Sequence, residues 1–131
     1  MLFKKKFVKP ILDGTKTMTR RNWDRPYAKE GYTVSARTDY TKRPTFARLV
    51  VTHVYQERLG DISELDAKLE GFGSVAEFFT EYFEINKVPQ AKQKIALEQQ
   101  VYVIIFQVYQ NTYERWLNYE KPVDRQRRLV L

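Results

Sequence analysis

Three features of the chain predict an α+β fold: threonines at alternate positions from Thr15 to Thr19, two serine-capped helical segments between Asp61 and Ile85, and an apolar strand from Val101 to Tyr109. Neither an all-helical nor an all-strand architecture accommodates all three. At 131 residues, with 43% hydrophobic and 15% aromatic side chains, the chain has the length of one domain and enough apolar mass for one core.

The elements follow in order. Leu2, Phe3 and Phe7 among lysines predict a short strand, and Val8, Ile11 and Leu12 seat one helical turn that Gly14 ends. In the strand read from Thr15 to Arg21, Thr15, Thr17, Thr19 and Arg21 share one face. Trp23, Pro26 and Tyr27 mark a loop, and Lys29-Glu30-Gly31 turns into a strand over Tyr32 to Ala36. A polar loop from Arg37 to Thr45 then leads into the longest strand candidate, Phe46 to Arg58.

The period next becomes helical. Ser63 caps one helix with Asp66 at the third position, Ile62 and Ala67 form its staple, and Gly71 ends it. Ser74 caps a second with Glu77, burying Val75, Phe78, Phe79, Tyr82 and Phe83 at spacings of three and four. These aromatics read as helical core. Asn86 to Gln100 is a polar connection with a helical turn at Lys94 to Leu97, and Val101 to Tyr109 is expected centrally in a sheet. The remainder holds Trp116 and the basic residues Arg125, Arg127 and Arg128.

Charge is unevenly placed. From Met1 to Lys29 nine Lys/Arg face only Asp13 and Asp24, an excess equal to the net charge of +7, while the remaining 102 residues carry fourteen cations and fourteen anions. A localised basic field favours phosphate-bearing partners. The absence of cysteine excludes disulfides, thiolate zinc sites and cysteine nucleophiles, and His53 as the sole histidine excludes a histidine-based metal cluster. No metal and no cofactor are therefore expected. Apolar runs such as Val101 to Phe106 are too short to span a bilayer and no signal-peptide pattern opens the chain, so a soluble, cytoplasmic protein is expected.

The segment Gly14 to Arg21, Gly-Thr-Lys-Thr-Met-Thr-Arg-Arg, concentrates three hydroxyls and three cations after an apolar turn. A polar ligand suits it. Together with Ile11-Leu12-Asp13, Arg25-Pro26, the Lys29-Glu30-Gly31 turn, Asp66-Ala67, Glu70-Gly71-Phe72 and the closing Val101 to Phe106 strand, it resembles an ASCH domain, with the pieces in the same order. The resemblance covers roughly Leu2 to Tyr109. The Asn86 to Gln100 connection and the tail beyond Tyr109 depart from the pattern, so residues 1–109 are expected to form the ASCH domain and residues 110–131 an extension of it.

That resemblance implies a PUA-like β-barrel flanked by helices, with a cleft for RNA or a modified nucleoside. Some ASCH proteins are amidohydrolases on N4-acetylcytidine and others are associated with RNA cleavage. In the amidohydrolases the motif lysine, the threonine three residues later and the glutamate before Gly-Phe are catalytic. By position these are Lys16, Thr19 and Glu70, with Arg21 a further candidate.

Chemistry sets conditions on these residues. A threonine hydroxyl is a poor nucleophile until a base takes its proton, so Thr19 needs a neutral base nearby. Lys16 qualifies only if its pKa falls, which Arg20, Arg21 and Arg25 together with partial burial favour. Glu70 lies in the last turn of its helix, where the macrodipole opposes ionisation by about 0.3–1 kcal/mol. Lys16 and Thr19 are three apart, so a regular strand would point them to opposite faces, and a bulge or turn after Gly14 is required.

The same residues suit plainer roles. Lys16, Arg20 and Arg21 read equally as phosphate contacts or solvated cations, and Thr17 and Thr19 as ligand hydrogen-bonders or ordinary strand residues. Trp23, Tyr27 and Tyr40, among basic loops that include Arg25, fit base stacking or core packing. His53 reads as structural. Three functions thus stand: an RNA- or modified-nucleoside-binding module using Thr17, Arg20, Arg21, Trp23 and Arg25, an amidohydrolase using Lys16, Thr19 and Glu70, and a metal-independent ribonuclease.

Overall fold

A computed structural model, describing residues 1–40 and 42–119, places two long strands, β3 (Ala47–Arg58) and β4 (Gln100–Asn111), side by side as the antiparallel spine of the molecule. Short strands flank them: β1 (Met18–Arg21) pairs with β4 and β2 (Thr33–Ala36) with β3, giving the sheet order β1-β4-β3-β2. The expected central position of the last strand holds. As a central strand β4 is covered on both faces, with Val101, Val103, Ile104 and Phe106 fully buried.

The described strands form an open four-stranded sheet rather than a closed barrel. Between its two edges runs the N-terminal segment, where Leu2 bridges Arg37 in parallel and Phe3 N donates to Arg37 O at 2.8 Å. The Leu2 carbonyl accepts from Arg21 Nη2 at 2.6 Å, so a side chain stands where a backbone ladder would close the ring. Thr52 and Tyr109 are extra residues in the β3–β4 register and bend the spine.

Helices cover the sheet. α1 (Val8–Asp13) ends at Gly14 in the left-handed conformation, φ +85°, as the turn required. α2 (Glu64–Leu69) and α3 (Val75–Ile85) start where their serines predict: Ser63 Oγ accepts from Asp66 N at 3.0 Å and Ser74 Oγ from Glu77 N at 3.1 Å. Glu77 returns its carboxylate to Gly73 N at 2.9 Å, one residue earlier than a reciprocal capping box. α4 (Gln90–Ala96) is longer than the single turn expected, and α5 (Tyr113–Asn118) buries Trp116.

Three other expectations shift. The strand predicted from Thr15 begins at Met18, with Thr15 in a turn bonded to Asp13. Lys5–Phe7 is a 3₁₀ turn rather than strand. On α3 the fully buried aromatics are Phe78 and Tyr82, while Phe79 and Phe83 are half-buried and stack on each other with centroids 5.8 Å apart. Arg125, Arg127 and Arg128, and with them most of the expected extension, lie outside the described residues.

The core has two main parts. Phe3, Phe46, Phe106 and Trp116 form one with α1 and α5, and Leu59, Ile62, Phe78 and Val101 form the other beneath α2 and α3. A cleft opens between them.

Candidate functional site

The distant motif residues meet because of Thr17. Its N–H donates to Leu69 O at 3.0 Å and its carbonyl accepts from Phe106 N at 2.9 Å, which joins the end of α2 to the middle of β4. That irregular step before β1 is the turn that Lys16 and Thr19 need to share a cleft. Gly71 completes it: φ is +100°, and a Cβ there would lie 3.2 Å from the Phe7 ring and 3.5 Å from the Lys16 side chain.

The cleft has a volume of about 430 Å³ and is lined by Lys16, Thr19, Arg20, Arg21 and Glu70, with Phe3, Phe7, Phe72, Phe78 and Tyr82 as apolar walls. Leu2, Lys4, Asn22, Thr38, Ile85 and Asn86 complete its lining. Lys16, Thr19 and Glu70 therefore line one cleft, though Glu70 is distant in sequence from the other two.

Lys16 Nζ is buried, donating to Glu70 O at 2.6 Å and Met18 O at 2.8 Å, with Glu70 Oε1 at 3.6 Å. The Phe7 ring lies 4.7 Å from the ammonium. Burial lowers its pKa from 10.5 to about 8; Glu70 opposes this shift and Arg21 adds to it. Glu70 is buried as well, and its pKa is raised chiefly by desolvation against the pull of Lys16, Arg20 and Arg21. Both directions agree with the expectation from sequence, but burial rather than the helix dipole or the arginine cluster is the leading cause.

Arg20 has a role the sequence did not indicate. Its fully buried guanidinium donates to Glu70 Oε2 and Asp66 Oδ2, each at 2.9 Å, and to Glu57 Oε1 at 3.2 Å. Its charge is engaged by three carboxylates and fixes the Glu70 side chain; it does not reach outward to solvent. Arg21 Nε donates to Thr19 Oγ1 at 3.1 Å, and its guanidinium carbon lies 5.0 Å from the Phe3 ring centre.

Thr17, Trp23 and Arg25 do not line this cleft. Thr17 borders a separate groove of about 200 Å³ beside Ile11 and Val108. Trp23 packs edge-on against Tyr27 at 5.4 Å and near Tyr102 at 6.2 Å, with Arg25 over the Tyr27 ring at 5.2 Å, so these three residues form an outer surface of their own. Exposed His53 meets only its neighbour Thr52 among the hydrogen bonds described, and Tyr40 is exposed. Among the described residues no cluster of three or more His, Asp or Glu is placed to hold a metal ion, and no helix is long and apolar enough to cross a membrane.

Sequence reasoning missed Asp66 and Glu57 as partners of Arg20, and Tyr82 and Asn86 as cleft residues. The Phe78-Tyr82-Asn86 spacing of four carried the signal for the last two, since it puts all three on one face of α3 and its extension.

No protein-family model and no curated protein matches the chain. Solved structures do. A protein of the DUF984 family from Enterococcus faecalis V583 superposes with a TM-score of 0.61 at 17% identity, over 81% of this chain and 71% of that one. The ASCH domain from Lactobacillus crispatus JV V101 superposes with a TM-score of 0.56 at 16% identity, over 77% and 69%. The chain shares the fold of these two structures, the second of which is an ASCH domain.

Proposed function

We propose that this protein is an ASCH-family, PUA-like protein that binds a modified nucleoside in the cleft and hydrolyses the amide of an N4-acylated cytidine there. The observation that carries the reading is the convergence of Lys16, Thr19 and Glu70 on one aromatic-walled cleft, with the lysine shifted toward its neutral form and the carboxyl toward its protonated form. Such opposed shifts suit a base and an acid working near neutral pH.

These three residues suit the following chemistry. Neutral Lys16 accepts the Thr19 hydroxyl proton, and Thr19 Oγ1 adds to the acyl carbonyl. Arg21, already bonded to Thr19 Oγ1, stabilises the oxyanion that forms. Collapse breaks the bond from the acyl carbon to N4, Glu70 gives N4 its proton, and cytidine leaves. Glu70 then takes a proton from water as its oxygen adds to the threonine ester, and Lys16 returns its proton to Thr19 Oγ1 as the carboxylic acid leaves, which restores all three groups. Arg20 grips the Oε2 side of Glu70 and leaves Oε1 toward Lys16.

One observation favours a second reading, a binding module without chemistry. Lys16 Nζ already donates to two backbone carbonyls, an arrangement that favours its charged form. Incubating the protein with N4-acetylcytidine and with unmodified RNA separates the possibilities. Release of cytidine and acetate supports the hydrolase, RNA fragments would point to a ribonuclease, and saturable binding without either product would leave the binding module.

A further inference from the structure

We propose, resting on the nucleoside reading above, that the Tyr82 hydroxyl donates to the acceptor edge of a cytosine base and so determines which nucleoside the cleft accepts. Three buried side-chain atoms among the described residues have no hydrogen-bond partner: Tyr82 Oη, Arg20 Nε and Glu81 Oε2. Tyr82 and Arg20 line the cleft. Buried polar groups are almost always paired, so two orphans beside one cavity point to a ligand that completes them.

Both orphans in the cleft donate here. Arg20 Nε can only donate, and a phenol held neutral donates its proton far better than it accepts one. Burial, assisted by the nearby Glu70 charge, pushes the Tyr82 pKa up to about 12, so it keeps that proton throughout the neutral range. The other buried polar side chains of the cleft are occupied: Lys16 on two carbonyls, Thr19 on Arg21, and Glu70 on Arg20. A ligand that completes either orphan therefore offers it an acceptor.

The walls describe the rest of that ligand. Phe72 and Phe78 meet edge-on at 5.6 Å, and Phe78 lies 5.6 Å from the Tyr82 ring, so the donor sits in an aromatic corner suited to a flat ring. On the Watson–Crick edge cytosine alone among the common bases presents two adjacent acceptors, O2 and N3, with no intervening donor; guanine sets O6 beside N7, but on its Hoogsteen edge. Uracil carries a proton on N3, and adenine sets an amino group beside N1. Acylation at N4 leaves O2 and N3 free.

Cytidine, the product of the proposed reaction, allows binding to be measured without turnover. Tyr82→Phe should raise its dissociation constant about tenfold, leave the weak binding of adenosine and uridine unchanged, and leave the melting temperature of the free protein equal or higher. For N4-acetylcytidine the same variant should raise KM with little change in kcat. A second comparison needs no variant: the wild type should bind 4-aminopyrimidine, which lacks O2, about tenfold more weakly than cytosine.

Equal cytidine affinity in Tyr82→Phe and wild type would overturn the proposal. So would a uniform loss across all three nucleosides, or the absence of cytidine binding to the wild type. Tyr82-dependent cytidine binding without turnover would sink the hydrolase reading alone, whereas turnover indifferent to Tyr82→Phe would sink only this inference.

Discussion

Two arginines are buried among the described residues, Arg43 and Arg20, and they tie together different parts of the molecule. Arg43 lies 3.4 Å from the Trp116 ring centre and donates Nε and Nη2 to the Trp116 carbonyl at 3.2 and 3.0 Å, binding α5 to the loop before β3 beside the Phe46 and Trp116 part of the core. Arg20 sits instead among Glu57, Asp66 and Glu70, with Lys16 on the far side of Glu70. Arg43 ties α5 to the packed end, and Arg20 gathers carboxylates at the cleft. Burying so many charges is costly, and a well-packed apolar substitute for such a cluster is often no less stable. The cleft end therefore spends stability that the Phe46 and Trp116 end supplies, which is the pattern expected of a site kept for chemistry or binding.

The largest effect should appear at the cleft. Thr19→Ala is expected to lower turnover of N4-acetylcytidine by at least about a thousandfold, with folding stability changed by about 1 kcal/mol or less. Lys16→Ala and Glu70→Ala should each abolish turnover too, and their losses should not add, because residues acting as one unit fail together. Kinetics and denaturant melts of the single and double variants measure both quantities. Additive losses would show that the three residues do not share a step.

The opposite division is expected at the packed end. Phe46 is fully buried against Phe3 and Trp116, and Phe46→Ala should cost about 3–5 kcal/mol through the cavity it leaves. The kcat of whatever fraction remains folded should hardly move. A loss under about 1 kcal/mol in urea unfolding would mean that this end does not supply the stability the cleft consumes.

Titration sharpens the comparison. Folded Lys16 deprotonates near pH 8, whereas in the unfolded chain it holds its proton to about 10.5. Between those values the unfolded state binds the extra proton, so raising the pH favours folding. The Lys16 contribution should make the protein about 3 kcal/mol more stable at the top of that window than below pH 8. Lys16→Met should remove that slope. Turnover, if Lys16 is the base, should climb with pH through an inflection near 8; ligand binding that depended on its charge would decline there instead.

How much of this could be read in the sequence depends on the range of the interaction. Local chemistry was legible: Ser63 and Ser74 cap where their spacing requires, Gly14 and Gly71 end helices in left-handed turns, and the apolar run from Val101 becomes the central strand. α4 was only partly legible because its Gln- and Lys-rich sequence has a weak apolar period, with Ile95 itself exposed. Lys16, Thr19 and Glu70 could be named together only through the family resemblance, since the Thr17 pairing that brings them together links segments distant in sequence. The depth of Arg20 was not legible at all. Nothing in Arg20-Arg21 says which guanidinium turns toward carboxylates supplied by β3 and α2. For Tyr82 the helical period correctly predicted burial, but a period cannot show that a buried hydroxyl lacks a partner.

The smallest expected effect tests the surface that the cleft leaves out. Arg25 is exposed over the Tyr27 ring, and Trp23 packs on Tyr27 and Tyr102 away from the cleft. Because an exposed cation–π contact contributes about 0.5–1 kcal/mol, Arg25→Ala should lower stability by no more than that and leave cytidine affinity unchanged. RNA is the discriminating ligand. If the excess positive charge of the N-terminal region serves a polynucleotide, losing one phosphate-neutralising cation should weaken RNA binding modestly and reduce the salt slope by roughly 0.7–0.9 on the log–log plot. An unchanged slope would confine recognition to the cleft, whereas a reduced cytidine affinity would show that this outer surface and the cleft act as one site.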